Sequence, residues 1–180
     1  MRTERCRRAL AVAGLGLLLA GCSAAPEAPP TPLTLSEAGT GYLRIVCPLN
    51  ERWDRLDLTV DVLRQSPNPG AAELTAAKRA AESLREASEQ ALRDLDEAEP
   101  TWPAAAAPAL GEVREQIAAE VSTLKTVPTL DRDAFLGLSW PDAGDSAAQA
   151  RRALDLDDDP DRNCAELPAE PPATEETPDA

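Results

Sequence analysis

The stretch YLRIVCPLNERWDRLDLTVDVL, residues 42–63, decides the fold. Its apolar residues Tyr42, Val46, Leu49, Trp53, Leu56, Val60 and Leu63 recur at spacings of 4, 3, 4, 3, 4 and 3. A stripe of that period lies along one face of an α-helix, and no two-residue alternation competes with it. Pro48 interrupts the stretch by removing one backbone donor, which should kink the helix, yet the stripe keeps phase across it. One kinked helix over about 36–64 is therefore expected, with Thr34 or Ser36 as N-cap and Glu37 in the first turn, where the helix dipole favours an acid.

Reading outward, Ser66-Pro67-Asn68-Pro69-Gly70 ends this helix. Residues 71–98 are rich in Ala, Glu, Leu and Arg, all good helix formers, and carry a second seam of Leu74, Ala77, Ala81, Leu84, Ser88, Ala91 and Leu95, widened by Leu92. Small residues on that seam allow close helix approach. The pairs Lys78–Glu82, Arg85–Glu89 and Glu89–Arg93, each four apart, read as a solvated outer face. A corner at Glu99-Pro100-Thr101-Trp102-Pro103 leads to a third helix with the stripe Leu110, Val113, Ile117, Val121 and Leu124, and Pro103 suits its first turn. Pro128 stops it. A short helix capped by Thr129 or Asp131 would carry Leu130, Ala134, Phe135 and Leu138. A last one, beginning at Asp142 or Asp145, would face Ala147, Ala150 and Leu154 inward. The fold class is thus all-α: a bundle of three long helices plus one or two short C-terminal helices over residues 35–166.

At the N-terminus, Arg2, Arg5, Arg7 and Arg8 precede twelve mostly aliphatic residues, Ala9 to Ala20. Twelve residues span about 18 Å as a helix, short of the roughly 30 Å hydrocarbon core, so a permanent membrane span is not expected. The order basic, apolar, small is that of a secretory signal. Its end, Leu19-Ala20-Gly21-Cys22, resembles the lipobox of bacterial lipoproteins at all four positions. The resemblance implies that residues 1–21 are a signal peptide and that Cys22 carries acyl lipid (palmitate or a similar chain) at the mature N-terminus. It implies an exported protein, anchored by that lipid on the extracytoplasmic face of the cell membrane within the cell envelope. Residues 22–34 then form a Pro-rich tether; in extended polyproline conformation its eleven residues from Ser23 to Leu33 hold the domain up to ~30 Å from the membrane. Residues 167–180, prolines and acids with a single leucine, are expected to be a disordered tail.

Once Cys6 leaves with the signal and Cys22 takes lipid, Cys47 and Cys164 are the remaining thiols. In an oxidising compartment the simplest outcome for them is a disulfide.

Charge and composition narrow the function. The chain carries a net charge of −14. Residues 1–21 hold four arginines and one glutamate, so the remainder has 14 basic and 31 acidic residues, a net charge of −17. So acidic a chain repels phosphate backbones and anionic headgroups, which disfavours nucleic-acid binding and leaves the membrane contact to lipid. Aromatic residues make up 3% of the chain, so the core is built from Leu, Val, Ile and Ala. There is no histidine, which excludes His-based triads and His-containing metal sites. Neither a Gly-rich phosphate loop nor a Gly-x-Ser-x-Gly nucleophile motif occurs. No catalytic residues and no cofactor are assigned, and an enzyme is not expected.

One constellation has ligand-like spacing. Asp155, Asp157, Asp159, Asp161, Asn163 and Glu166 stand at intervals similar to the oxygen ligands of an EF-hand Ca²⁺ loop. Pro160 stands where that loop needs Gly, Arg162 stands at a normally apolar position, and no helix is expected to follow. A solvated acidic loop capping the bundle is the favoured reading. Trp53 is placed in the core, and Trp102 and Trp140, each before a proline at a helix boundary, against the bundle end. Asn50 and Arg52 lie beside the Pro48 kink, where freed backbone groups can open a cleft. The resulting functional expectation is a lipid-anchored envelope lipoprotein whose helical domain binds or scaffolds an envelope protein partner. The alternative is a lipoprotein accessory to transport that binds a small ligand or divalent cation.

Overall fold

The computed structural model describes residues 30–66, 71–141 and 143–167. The expected signal peptide, Cys22, most of the expected tether, residues 67–70, Asp142 and residues 168–180 of the expected tail lie outside the described residues. Six α-helices and two short 3₁₀ turns make up the described regular structure, with no strand among them. The all-α reading is correct.

The first helix, α1, runs Leu35–Gln65. Thr34 caps it: its hydroxyl accepts the Glu37 amide, and the Glu37 carboxylate returns to the Thr34 amide at 2.9 Å. This reciprocal pair satisfies two donors that the first turn leaves free, and the Thr34 bonds hold the Glu37 carboxyl below its ordinary pKa. The helix continues through Pro48, because Tyr42, Leu43, Leu49, Leu56, Val60 and Leu63 are all buried on one face and tertiary packing outweighs the lost hydrogen bond.

The second helix, α2, runs Ala71–Ala98 and the third, α3, Ala107–Leu124. The small seam of α2 is buried as its spacing indicates, from Ala77 through Ala81, Leu84, Ser88 and Ala91 to Leu95. Pro103 is not in α3. Its carbonyl accepts the Ala106 and Ala107 amides in a preceding turn, and Pro108 occupies the first turn of the helix instead. Trp102 is buried at this corner, and the Leu33 amide donates to the Thr101 carbonyl at 2.8 Å, which ties the chain entry to it.

Three short helices complete the fold: α4 (Arg132–Leu136), α5 (Gly144–Ala153) and α6 (Pro160–Ala165). Asp131 caps α4 through the Ala134 amide. Helix α1 packs on α2, α2 on α3 and α3 on α5, while α6 sits against α1. Phe135 and Leu154 close the core from the short helices.

The sixth helix corrects the expectation of an irregular acidic segment. Its N-cap, Asp159, accepts the amides of Asp161 and Arg162, and Pro160 fits the first turn, where a missing N–H costs nothing. Six residues with a strong cap and Cys164 anchored to α1 suffice for one and a half turns.

Candidate functional site

Three helices meet at a carboxyl group. Glu120 of α3 is 3% exposed. Trp53 of α1 donates its indole N–H to Glu120 Oε2 at 3.0 Å, and Ser88 Oγ of α2 lies 2.6 Å from Glu120 Oε1. Ser88 Oγ is also 2.8 Å from the Leu84 carbonyl. A carbonyl only accepts and a hydroxyl has one proton. With the Ser88 proton on Leu84 O, the contact to Glu120 needs a proton on Glu120 Oε1. A proton on Glu120 would let all the contacts from Trp53 through Glu120 and Ser88 to Leu84 form at once. Burial raises the Glu120 pKa, and the bonds from Ser88 and Trp53 only partly oppose it. No ion pair to Glu120 occurs among the described residues, so a charged form has no counter-ion there.

Glu120 forms part of the wall of a cleft of about 320 Å³ between α1, α3, α5 and α6. Its apolar lining includes Val46, Leu49, Val113 and Ile117, and Cys164 borders it on the α6 side. Cys47 and Cys164 are joined in a disulfide with Cα atoms 5.6 Å apart. Trp53 also lines the cleft and meets Trp140 edge to face, ring centroids 5.4 Å apart at 85°. That contact fixes the indole that bonds Glu120. Polar groups on the wall are Asn50, Asp54, Arg151, Asp161 and the buried Tyr42. Burial pushes the Tyr42 phenol up to about 12, against the opposing charge of Arg151.

The Arg151 side chain makes no ion pair and donates no hydrogen bond among the described residues, and its Nε is closed off from water. Some other cations are engaged: Arg85 bridges Glu82 and Glu89 at 2.5 and 2.8 Å, Arg114 pairs with Asp96, and Lys78 reaches the Pro128 carbonyl.

Asn50 lines the cleft, as its place beside Pro48 suggested; Arg52 is half-buried and does not. Trp102 packs at the corner, whereas Trp53 is half-buried at the cleft. Asp155, Asp157, Asp159, Asp161 and Glu166 do not gather: no three acids among the described residues are placed to hold a metal ion. Each of the first three instead serves the local backbone. Asp155 has φ 56°, the left-handed position after α5; around it the Leu156 amide bonds Arg151 O at 2.9 Å and the Asp155 amide bonds Arg152 O. Those two bonds are a Schellman motif, a helix terminator usually built on Gly. Asp157 accepts the Asp159 amide and pairs with Arg162 at 2.6 Å, while Asn163 bonds both the amide and the carbonyl of Asp157. The ligand-like spacing is that of successive turn and cap residues, which Asp fills for its own reasons.

Glu120, Ser88 and Arg151 were not anticipated as a site. The signal for the first was present: Glu120 falls three residues after Ile117 and four before Leu124, on the buried stripe. Comparison with protein-family models, with curated proteins and with solved structures returns no match, so the geometry alone carries the functional argument.

Proposed function

We propose that this chain is a lipid-anchored binding protein of the extracytoplasmic membrane face, whose helical domain holds a small ligand in the cleft between α1, α3, α5 and α6. Support for the anchor is the Leu19-Ala20-Gly21-Cys22 motif after a basic and apolar leader. The observation that carries the ligand reading is the cleft: about 320 Å³, with an apolar lining and held by the Trp53–Glu120–Ser88 bonds. Ligand sites are typically such preformed apolar hollows with a few placed polar groups, of about 300–1,000 Å³. Thermal unfolding in the presence of a metabolite panel tests the reading. A ligand raises the midpoint by mass action; a flat response across the panel, with no ligand retained by protein purified from its own membranes, counts against it.

A protein-binding or scaffolding role is the second reading, favoured by Leu58 and Val62. These lie one turn apart on α1 and are 68% and 60% exposed. Two side chains make a small patch, well below a standard interface. Crosslinking in membranes followed by purification, compared between the parent and a Leu58→Ser, Val62→Ser double variant, tests it.

For acid–base catalysis, Asp54, Glu120 and Asp161 share the cleft. Both Glu120 oxygens are already bonded to Trp53 and Ser88, which speaks against that use.

A further inference from the structure

We infer that the cleft takes a small amphipathic carboxylate, its apolar body on Val46, Leu49, Val113 and Ile117 and its charged end on Arg151. The inference rests on the ligand-binding reading above and adds the chemical class.

Three observations carry it. Val46, Leu49, Val113 and Ile117 give the cleft an aliphatic lining, so the part of a ligand against them is apolar, and favourable burial scales with apolar area. Arg151 is the cationic side chain on that wall, and among the described residues it meets no carboxylate and donates no hydrogen bond. In so acidic a chain the other cleft-facing charges are carboxylates, yet none of them has closed on it. A guanidinium with its donors unmet and its Nε out of water matches a carboxylate, which takes two parallel N–H bonds at once.

Asp54 and Asp161 set the opposing preference, for a cation. Both are exposed, and exposed charges are screened by water and salt over about 8–10 Å. Arg151 is partly buried, so its field inside the cleft is screened less. Glu120 stands in the same wall with both oxygens already bonded, to Trp53 and to Ser88. The balance inside the cleft favours an anionic head.

Calorimetric titration of the purified full-length protein, disulfide intact, with octanoate, octanamide and octylammonium at neutral pH tests this. The expected order is octanoate first, at least about tenfold tighter than octanamide, as charge-assisted bonds are stronger than neutral ones, with octylammonium weakest. Arg151→Gln should bring octanoate to the level of octanamide and leave octanamide unchanged; Arg151→Lys should keep part of the preference. Equal binding of octanoate and octanamide overturns the carboxylate class while leaving the ligand cleft standing. Tightest binding by octylammonium means that the rim acids dominate and also overturns it. No binding by any of the three removes both. If Arg151→Gln does not fold, the order of the three ligands on the parent protein decides.

Discussion

Ser88 Oγ lies 2.6 Å from Glu120 Oε1 and 2.8 Å from the Leu84 carbonyl, and one hydroxyl proton cannot serve both contacts. A proton on Glu120 would supply the second bond, and burial favours that form. The folded pKa of Glu120 is raised by burial above the ordinary 4.5. The folded state therefore holds the proton more tightly than the unfolded chain. The stability this contributes is complete below the unfolded value and is lost as pH rises through the folded one. Glu120→Gln keeps an acceptor for Trp53 and supplies a donor for Ser88. It should match the parent at acid pH and exceed it increasingly as pH rises from 4.5, in denaturant titrations at several pH values. Glu120→Ala strands the Trp53 N–H and should cost about 1–3 kcal/mol.

Loss of the disulfide should be symmetric. Cys47→Ser and Cys164→Ser each open a link across 117 residues and should lower stability equally, by about 2–4 kcal/mol. The double variant should be no worse than either single one. A reductant should bring the parent to the same level, measured by denaturant unfolding.

Asp155 occupies a left-handed position that glycine adopts without strain. Asp155→Gly should stabilise by up to about 1 kcal/mol and Asp155→Val should destabilise. Calcium should leave the unfolding midpoint of the parent unchanged, because the acids of this segment are spent on turns and caps. A clear calcium-dependent rise would return the segment to the list of ligand sites.

Cys22→Ser removes the proposed acyl acceptor. The protein should then leave the membrane fraction or accumulate with its leader uncut, read by fractionation and intact mass. The acidic remainder offers anionic lipid no second electrostatic attachment.

Much of the fold was legible because each long helix repeats apolar residues at threes and fours and is bounded by Pro-rich corners. Residues 71–98 illustrate it: Ala71–Ala98 is helical to the residue. What sequence did not show was set by partners distant along the chain. Nothing local to Glu120 indicates that Trp53, 67 residues earlier, and Ser88 will enclose it. A lone acid or serine on an apolar stripe was nonetheless a usable sign, since a polar group in a core is retained only when it is bonded. Helix α6 escaped because its stability comes from an aspartate cap and a covalent link rather than from periodicity. The same aspartates, read by spacing, imitated a metal loop.

Methyl-resolved NMR reports directly where a ligand lands. The methyls of Val46, Leu49, Val113 and Ile117 line the cleft, while those of Leu58 and Val62 stand exposed on another part of α1. Titration with octanoate should shift the first four in a saturable manner, move the Trp53 indole resonance with them, and leave Leu58 and Val62 in place. Shifts centred on Leu58 and Val62, or none at the four cleft methyls at saturating ligand, would contradict a ligand site in this cleft.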